Sequence, residues 1–152
     1  METAQATTVT TTRFGVVNYV ETEVIAFPWG IPGFEDARRF LALTLEDQPH
    51  FVWLQSVDRP ELALPCSDPW HVFQDYEPRL PGYVVSALDV QNPEDFTILC
   101  VVVVTKDAQE MTMNLLAPVV INLKTNRGRQ VMLENSGYSA REPIPRKAAL
   151  AP

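Results

Sequence analysis

Thirteen prolines run through this 152-residue chain, against only six glycines. Each proline fixes φ and lacks a backbone N–H. It is therefore confined to a turn, a first helical position or a sheet edge. A chain punctuated this often predicts many short elements joined by stiff turns, and no long helix. Hydrophobic residues at 46% and charged residues at 20% are ordinary for a globular domain. Length predicts a single domain with a sizeable core.

The segments between the prolines read mostly as strands. Candidates are residues 14–20, 24–27, 40–45, 51–56, 62–64, 96–104, 111–116, 119–124 and 129–133. Residues 96–104 are apolar on both alternating faces and predict a central strand covered on both sides. In residues 119–124, Val119, Ile121 and Leu123 share one face. Asn126-Arg127-Gly128 reads as a hairpin turn. Asp68-Pro69-Trp70 and Asn92-Pro93-Glu94-Asp95 each pair an N-cap residue with a first-turn proline, so each predicts a short helical turn. Residues 83–88 fit helix or strand, with a short helix as the reading. Nine short strands without a crossover helix predict an all-β, small antiparallel barrel-like or sandwich domain with short helical turns. The domain is placed at residues 13–137, after a flexible Thr-rich leader (1–12) and before a basic, proline-containing tail (138–152).

The chemistry of an enzyme is hard to find. The two histidines, His50 and His71, have no spacing that pairs them with a second ligand or a nucleophile. The six glycines form no phosphate loop. Cys66 and Cys100 fit no metal-ligand pattern. Cys100 lies in an apolar run, so a reduced chain is expected. The acidic neighbours Glu35-Asp36, Glu46-Asp47 and Glu94-Asp95 lie in turns or helix starts and read as solvated, whereas a catalytic pair would need burial. No catalytic residue, cofactor or metal is therefore expected. No signal peptide and no membrane-spanning run is visible, and the longest apolar run is residues 98–104.

Charge is unevenly spread. Residues 1–110 carry 17 acidic and 6 basic side chains, whereas residues 111–152 carry 2 and 6. The acidic body should repel phosphates and attract basic partners. The basic end comprises Lys124, Arg127, Arg129, Arg141, Arg146 and Lys147. RNA binding would want aromatics interleaved with these charges, and only Tyr138 is near in sequence. Among the tryptophans, Trp53 alternates with Phe51 and reads as core. Trp29, between Pro28 and Gly30, is a candidate contact residue.

Phe27-Pro28-Trp29-Gly30-Ile31-Pro32-Gly33-Phe34-Glu35 is a compact motif of aromatic, proline and glycine residues. It resembles the opening signature of the flagellar assembly factor family FliW. Trp53-Leu54-Gln55-Ser56, Asp68-Pro69 and Pro93-Glu94-Asp95 follow in the family's order. Residues 111–122, from Met111 to Asn122, and Gln130-Val131-Met132-Leu133 complete it. The longer leader and Pro65-Cys66 depart from the pattern.

The resemblance implies a small antiparallel barrel-like fold and a cytoplasmic antagonist of the translational regulator CsrA. Such a protein binds CsrA, relieves repression of flagellin mRNA, and is itself sequestered by flagellin. On this reading the chain is a monomer on its own, binds neither nucleic acid nor membrane directly, and is no enzyme. Candidate partner-binding residues are Trp29, Ile31 and Phe34 in the first loop, with the acids Asp68, Asp75, Glu77, Glu94 and Asp95. The alternative is a small β-barrel ligand carrier or enzyme, which would need a deep pocket of convergent polar groups.

Overall fold

The computed structural model describes residues 6–104 and 110–145. Among them the strands are β1 (Ala6–Thr11), β2 (Gly15–Val20), β3 (Ile25–Ala26), β4 (Arg39–Leu45), β5 (Gln48–Ser56) and β6 (Ala63–Ser67). After these come β7 (Phe96–Val103), β8 (Thr112–Met113), β9 (Val119–Asn122), β10 (Arg127–Gln130) and β11 (Glu142–Pro143). Two short helices, α1 (Pro69–Val72) and α2 (Gly82–Ala87), sit between β6 and β7. No helix among the described residues is long and apolar enough to cross a membrane.

The strands close on themselves. Neighbours run β7-β6-β5-β4-β3-β10-β9, and β9 pairs back to β7. That ring is the expected barrel, and closure removes most free edges. All pairings but one are antiparallel; the exception is a single parallel bridge, Arg127 to Ala26. Strand β8 continues from the far end of β7 and β11 pairs with β8. Strands β1 and β2 form a separate hairpin.

Period-two alternation divides the core in two. Phe27, Phe40, Leu54, Cys66, Val119 and Ile121 belong to the cluster enclosed by the ring. Trp53, Ile98, Cys100, Val102, Val120 and Val131 belong to a second cluster outside it, under α2 and the later loops. Within β7, Leu99 and Val101 face the first cluster while Ile98, Cys100 and Val102 face the second. This is why that strand is apolar throughout. The same alternation places Cys66 and Cys100 on opposite faces, and both thiols are free and buried.

The predicted helix starts are present. The Asp68 carboxylate accepts the Trp70 N–H at 2.9 Å, a cap worth about 1 kcal/mol. Pro93–Asp95 forms one 3-10 turn, and residues 83–88 fall mostly in α2.

Three expectations are corrected. Residues 6–11 are not a free leader: β-branched Thr and Val suit a pleated surface, and β1 pairs with β2 along six positions. Thr11 closes the hairpin, its hydroxyl donating to the Gly15 carbonyl and accepting the Phe14 N–H. Residues 138–145 are not a free tail either. Tyr138 meets Tyr76 edge-on at 4.7 Å, Ser139 accepts the Leu115 N–H at 3.0 Å, and Ile144 is buried. Residues 1–5 of the expected leader, and Arg146 and Lys147, lie outside the described residues. Finally, the hairpin turn lies earlier than expected, at residues 123–126 rather than 126–128. Asn122 accepts the Lys124 and Thr125 N–H groups through its side chain, and Asn126 takes the positive φ. Leu123 thus sits in the turn and is exposed, and Arg127 and Gly128 open β10.

Candidate docking face

The Pro28–Gly33 region folds as two tight turns. The Gly30 N–H donates to the Phe27 carbonyl at 2.8 Å and the Phe34 N–H to the Ile31 carbonyl at 2.7 Å. Gly30 takes φ of +70°, and a Cβ there would stand 3.0 Å from the Glu35 backbone. Only glycine meets both conditions. Phe27 is fully buried beneath this loop, and its ring lies on Gly128 of β10. The absence of a side chain at Gly128 lets the two segments approach closely.

This approach brings Trp29 against the neighbours of Gly128. The Arg129 guanidinium lies 4.6 Å from the Trp29 ring centre and 5.1 Å from that of Tyr83. Arg127 lies 5.8 Å from Trp29 on the same ring system. Trp29 is 41% exposed and Tyr83 57%. At exposed sites each such contact contributes about 0.5–1 kcal/mol, enough to fix the rotamers without covering the rings.

Beyond Tyr83 the surface drops into a groove of about 740 Å³ lined by Glu77, Arg79, Pro81, Tyr83, Met132, Glu134 and Tyr138, among others. Tyr138 forms its far wall and accepts the Glu77 N–H at 2.8 Å. On the other side of Tyr138, a recess of about 260 Å³ is bordered by Asp75, Tyr76, Leu115 and Glu142. The result is one face running from Trp29 through Arg129 and Tyr83 to Tyr138, with four carboxylates along its second half.

The structure sorts the sequence-derived candidates. Trp29, Asp75 and Glu77 lie on this face. Asp68 is exposed but engaged as the cap of α1. Phe34 is half-buried beneath the Arg59 guanidinium at 5.5 Å, and Glu94 is exposed on its 3-10 turn. Two candidates are not available to a partner. Ile31 is packed in the barrel cluster. Asp95 is only 5% exposed: its carboxylate accepts the Asn92 N–H at 3.2 Å and lies 3.4 Å from the Lys124 ammonium. The reading of Glu94-Asp95 as a solvated pair therefore holds for its first member only.

Sequence reasoning missed Tyr83, Arg129, Met132, Glu134 and the contact role of Tyr138. It also found no aromatics interleaved with the basic end, because Trp29 and Tyr83 are remote from Arg127 and Arg129 in the chain. The fold brings them together. It likewise joins His50 and His71, whose rings stack at 4.1 Å with 18° between planes. Near-parallel rings aim their nitrogen lone pairs side by side rather than at one point. Among the described residues no cluster of three or more potential ligands stands in position for a metal.

Comparison with known proteins agrees with this architecture. The sequence model of the family described as "FliW protein" matches residues 8–144. "Flagellar assembly factor FliW" of Caldanaerobacter subterraneus subsp. tengcongensis is 40% identical over 136 residues, covering 88% of this chain and 90% of that protein. The protein of the same name from Clostridium novyi (strain NT) is 35% identical over 130 residues, covering 86% and 91%. A crystal structure of the flagellar assembly factor FliW superposes with a TM-score of 0.87 at 31% identity, over 93% of this chain and 99% of that one. With a family match across almost the whole described fold, and relatives alike over nearly their full length, this chain belongs to the FliW family.

Proposed function

We propose that this chain is a flagellar assembly factor that acts in the cytoplasm as a partner switch. It holds the translational regulator CsrA away from flagellin mRNA, and it gives CsrA up when free flagellin binds. The observation that carries this reading is the face on which Trp29, Arg129 and Tyr83 stack in the open beside a groove that holds Glu77 and Glu134 together with Arg79. Trp, Tyr and Arg are the residue types that dominate binding hot spots. Glu77 and Glu134, with Asp75 and Glu142 beyond, would steer a basic RNA-binding partner towards them. The names of the relatives supply the flagellar context.

The test is a gel-shift assay with CsrA bound to a flagellin leader RNA. Adding this protein should release the RNA, and adding flagellin monomers should restore the complex. RNA that stays bound throughout would overturn the switch. Reversing Glu77 and Glu134 to lysine should weaken CsrA binding about tenfold or more, equivalent to about 1.4 kcal/mol. Both side chains are exposed, so stability should move by no more than about 0.5 kcal/mol.

A second reading, direct binding of single-stranded RNA, gains from the interleaving of Arg127 and Arg129 with Trp29 and Tyr83. The neighbouring carboxylates oppose it. Bare RNA in the same assay decides: binding that falls steeply with salt would favour RNA.

A further inference from the structure

The recess of about 260 Å³ beside Tyr138 has walls of one chemical character. Phe73, Tyr76 and Tyr138 supply aromatic surface and Leu115 an aliphatic side, while Asp75 and Glu142 carry its only charges. No lysine or arginine lines it. Arg79 borders the larger groove across Tyr138 instead. Arg141, next to Glu142 in the chain, is exposed and is not one of the lining residues. Among the described residues neither Asp75 nor Glu142 forms an ion pair; the carboxylates that do are those of Glu21, Asp36, Glu61 and Asp95.

The walls are held by bonds that do not involve the two carboxylates. The Tyr76 hydroxyl donates to the Leu115 carbonyl at 2.6 Å, and the Trp70 indole N–H donates to the Tyr76 carbonyl at 2.8 Å. The ring of Tyr138 stands edge-on to that of Tyr76. Glu142 is fixed by its backbone, which pairs with Met113 where β11 meets β8. The recess is thus formed before any ligand arrives, and its acids can be neutralised without removing a structural contact.

We propose that this recess binds the guanidinium of an arginine side chain presented by a partner protein. Two features of different kinds select it. Aromatic faces attract a cation through the ring quadrupole. Two carboxylates from distant parts of the chain supply the acceptors that the forked N–H donors of a guanidinium need. An anion would meet two like charges, and an apolar group would strip water from both carboxylates without replacing it. Arginine suits the site better than lysine, because its planar group stacks on a ring while donating in its own plane, and it is more weakly hydrated. The chain stacks its own guanidinium groups in this manner elsewhere: Arg13 lies over Trp53 at 4.5 Å and Arg129 over Trp29 at 4.6 Å. The volume is below that of a drug-sized ligand pocket and matches a single side chain. The site itself stands on this geometry; that its arginine belongs to a protein rests on the partner-switch reading above.

The experiment titrates the isotope-labelled full chain with N-acetyl-arginine amide, and in parallel with the lysine and citrulline derivatives, by NMR. Citrulline keeps the shape of arginine and removes its charge. The arginine derivative should shift the amide signals of Asp75, Tyr76, Gly137 and Tyr138 in a saturable way. Lysine should bind about threefold or more weakly, and citrulline should leave these signals in place. Asp75→Asn with Glu142→Gln should weaken arginine binding about tenfold, while Glu46→Gln in the β4–β5 turn should change nothing. The double variant should lose about tenfold in affinity for CsrA as well. Citrulline acting as arginine does, or arginine binding retained in the double variant, would overturn the proposal. Undiminished affinity of the double variant for both CsrA and flagellin would overturn the assignment to a protein's arginine. The two readings fail separately: a chain that takes the arginine derivative in the recess but binds neither CsrA nor flagellin sinks the partner switch alone. A chain that releases RNA from CsrA, with the recess signals unmoved by the arginine derivative, sinks the recess alone.

Discussion

Gly128→Ala should destabilise the fold and blunt the docking face together. An alanine Cβ at this position would stand 2.8 Å from Cζ and 2.9 Å from Cε2 of Phe27, and 3.3 Å from Cγ1 of Ile121. Phe27 cannot retreat. It is fully buried, and Phe40 lies edge-on to it at 5.2 Å. Gly128 has no positive φ, so backbone freedom alone would favour alanine by about 0.5–1 kcal/mol. Overpacking a dense core costs about 1–3 kcal/mol. The net expectation is a loss on the order of 1–2 kcal/mol. For a chain of this length that lowers the thermal midpoint by about 2–8 °C. Urea unfolding followed by tryptophan fluorescence measures it. Phe27→Leu in the same chain should recover part of the loss, so that the double variant is less than additive. Strand β10 also carries Arg127 and Arg129, so the displacement should weaken CsrA binding as well. A Gly128→Ala protein as stable as the parent, or more stable, would refute the close-approach argument.

Other outcomes follow from the same structure. Gly30→Ala meets both a positive φ and a 3.0 Å approach to the Glu35 backbone, and should cost about 1–3 kcal/mol by thermal melting. Asp95→Ala removes the acceptor of the Asn92 N–H that closes the 3-10 turn and should cost about 0.5–2 kcal/mol, the range of a lost cap. Glu94→Ala, one residue earlier and exposed, should cost no more than about 0.5 kcal/mol. Burial raises the thiol of Cys100 to about 12, and burial followed by the charge of Cys100 raises Cys66 further. In the unfolded chain both thiols ionise near pH 9, so the unfolded state loses protons first. Stability should be intact below that pH and fall as pH climbs towards the folded values. A Cys66→Ala/Cys100→Ala double variant, compared by urea unfolding between pH 8 and 10.5, should show a shallower decline.

The barrel was legible because its signals are local. The continuous apolar run of residues 96–104, the capped prolines at Asp68 and Asn92, and the paired turns around Gly30 and Gly33 each report on neighbours in the chain. The termini were misread for a matching reason. The Thr-rich run of β1 has the composition of a low-complexity leader, and its strand character rests on pairing with β2 three residues on; Tyr138 and Ile144 are held by Tyr76 and β8, contacts that no short window of sequence contains. The turn at Asn126 was displaced because Gly128 was assigned to turn geometry, when it answers to the ring of Phe27 from the far end of the chain. The candidate site suffered most. Trp29 stood out by its position between Pro28 and Gly30, but Arg129 and Tyr83 acquire meaning only when the fold stacks them on it. Asp95 looked like Glu94 until its burial and its bond to the Asn92 N–H separated them.

Hydrogen–deuterium exchange of this protein with and without saturating CsrA tests most directly whether the Trp29–Tyr138 face is the working surface. Protection concentrated in residues 77–85 and 127–138, with the β1–β2 hairpin unchanged, is the expected footprint. Protection confined to the hairpin or to the His50–His71 side, with those two segments exchanging as before, would contradict it.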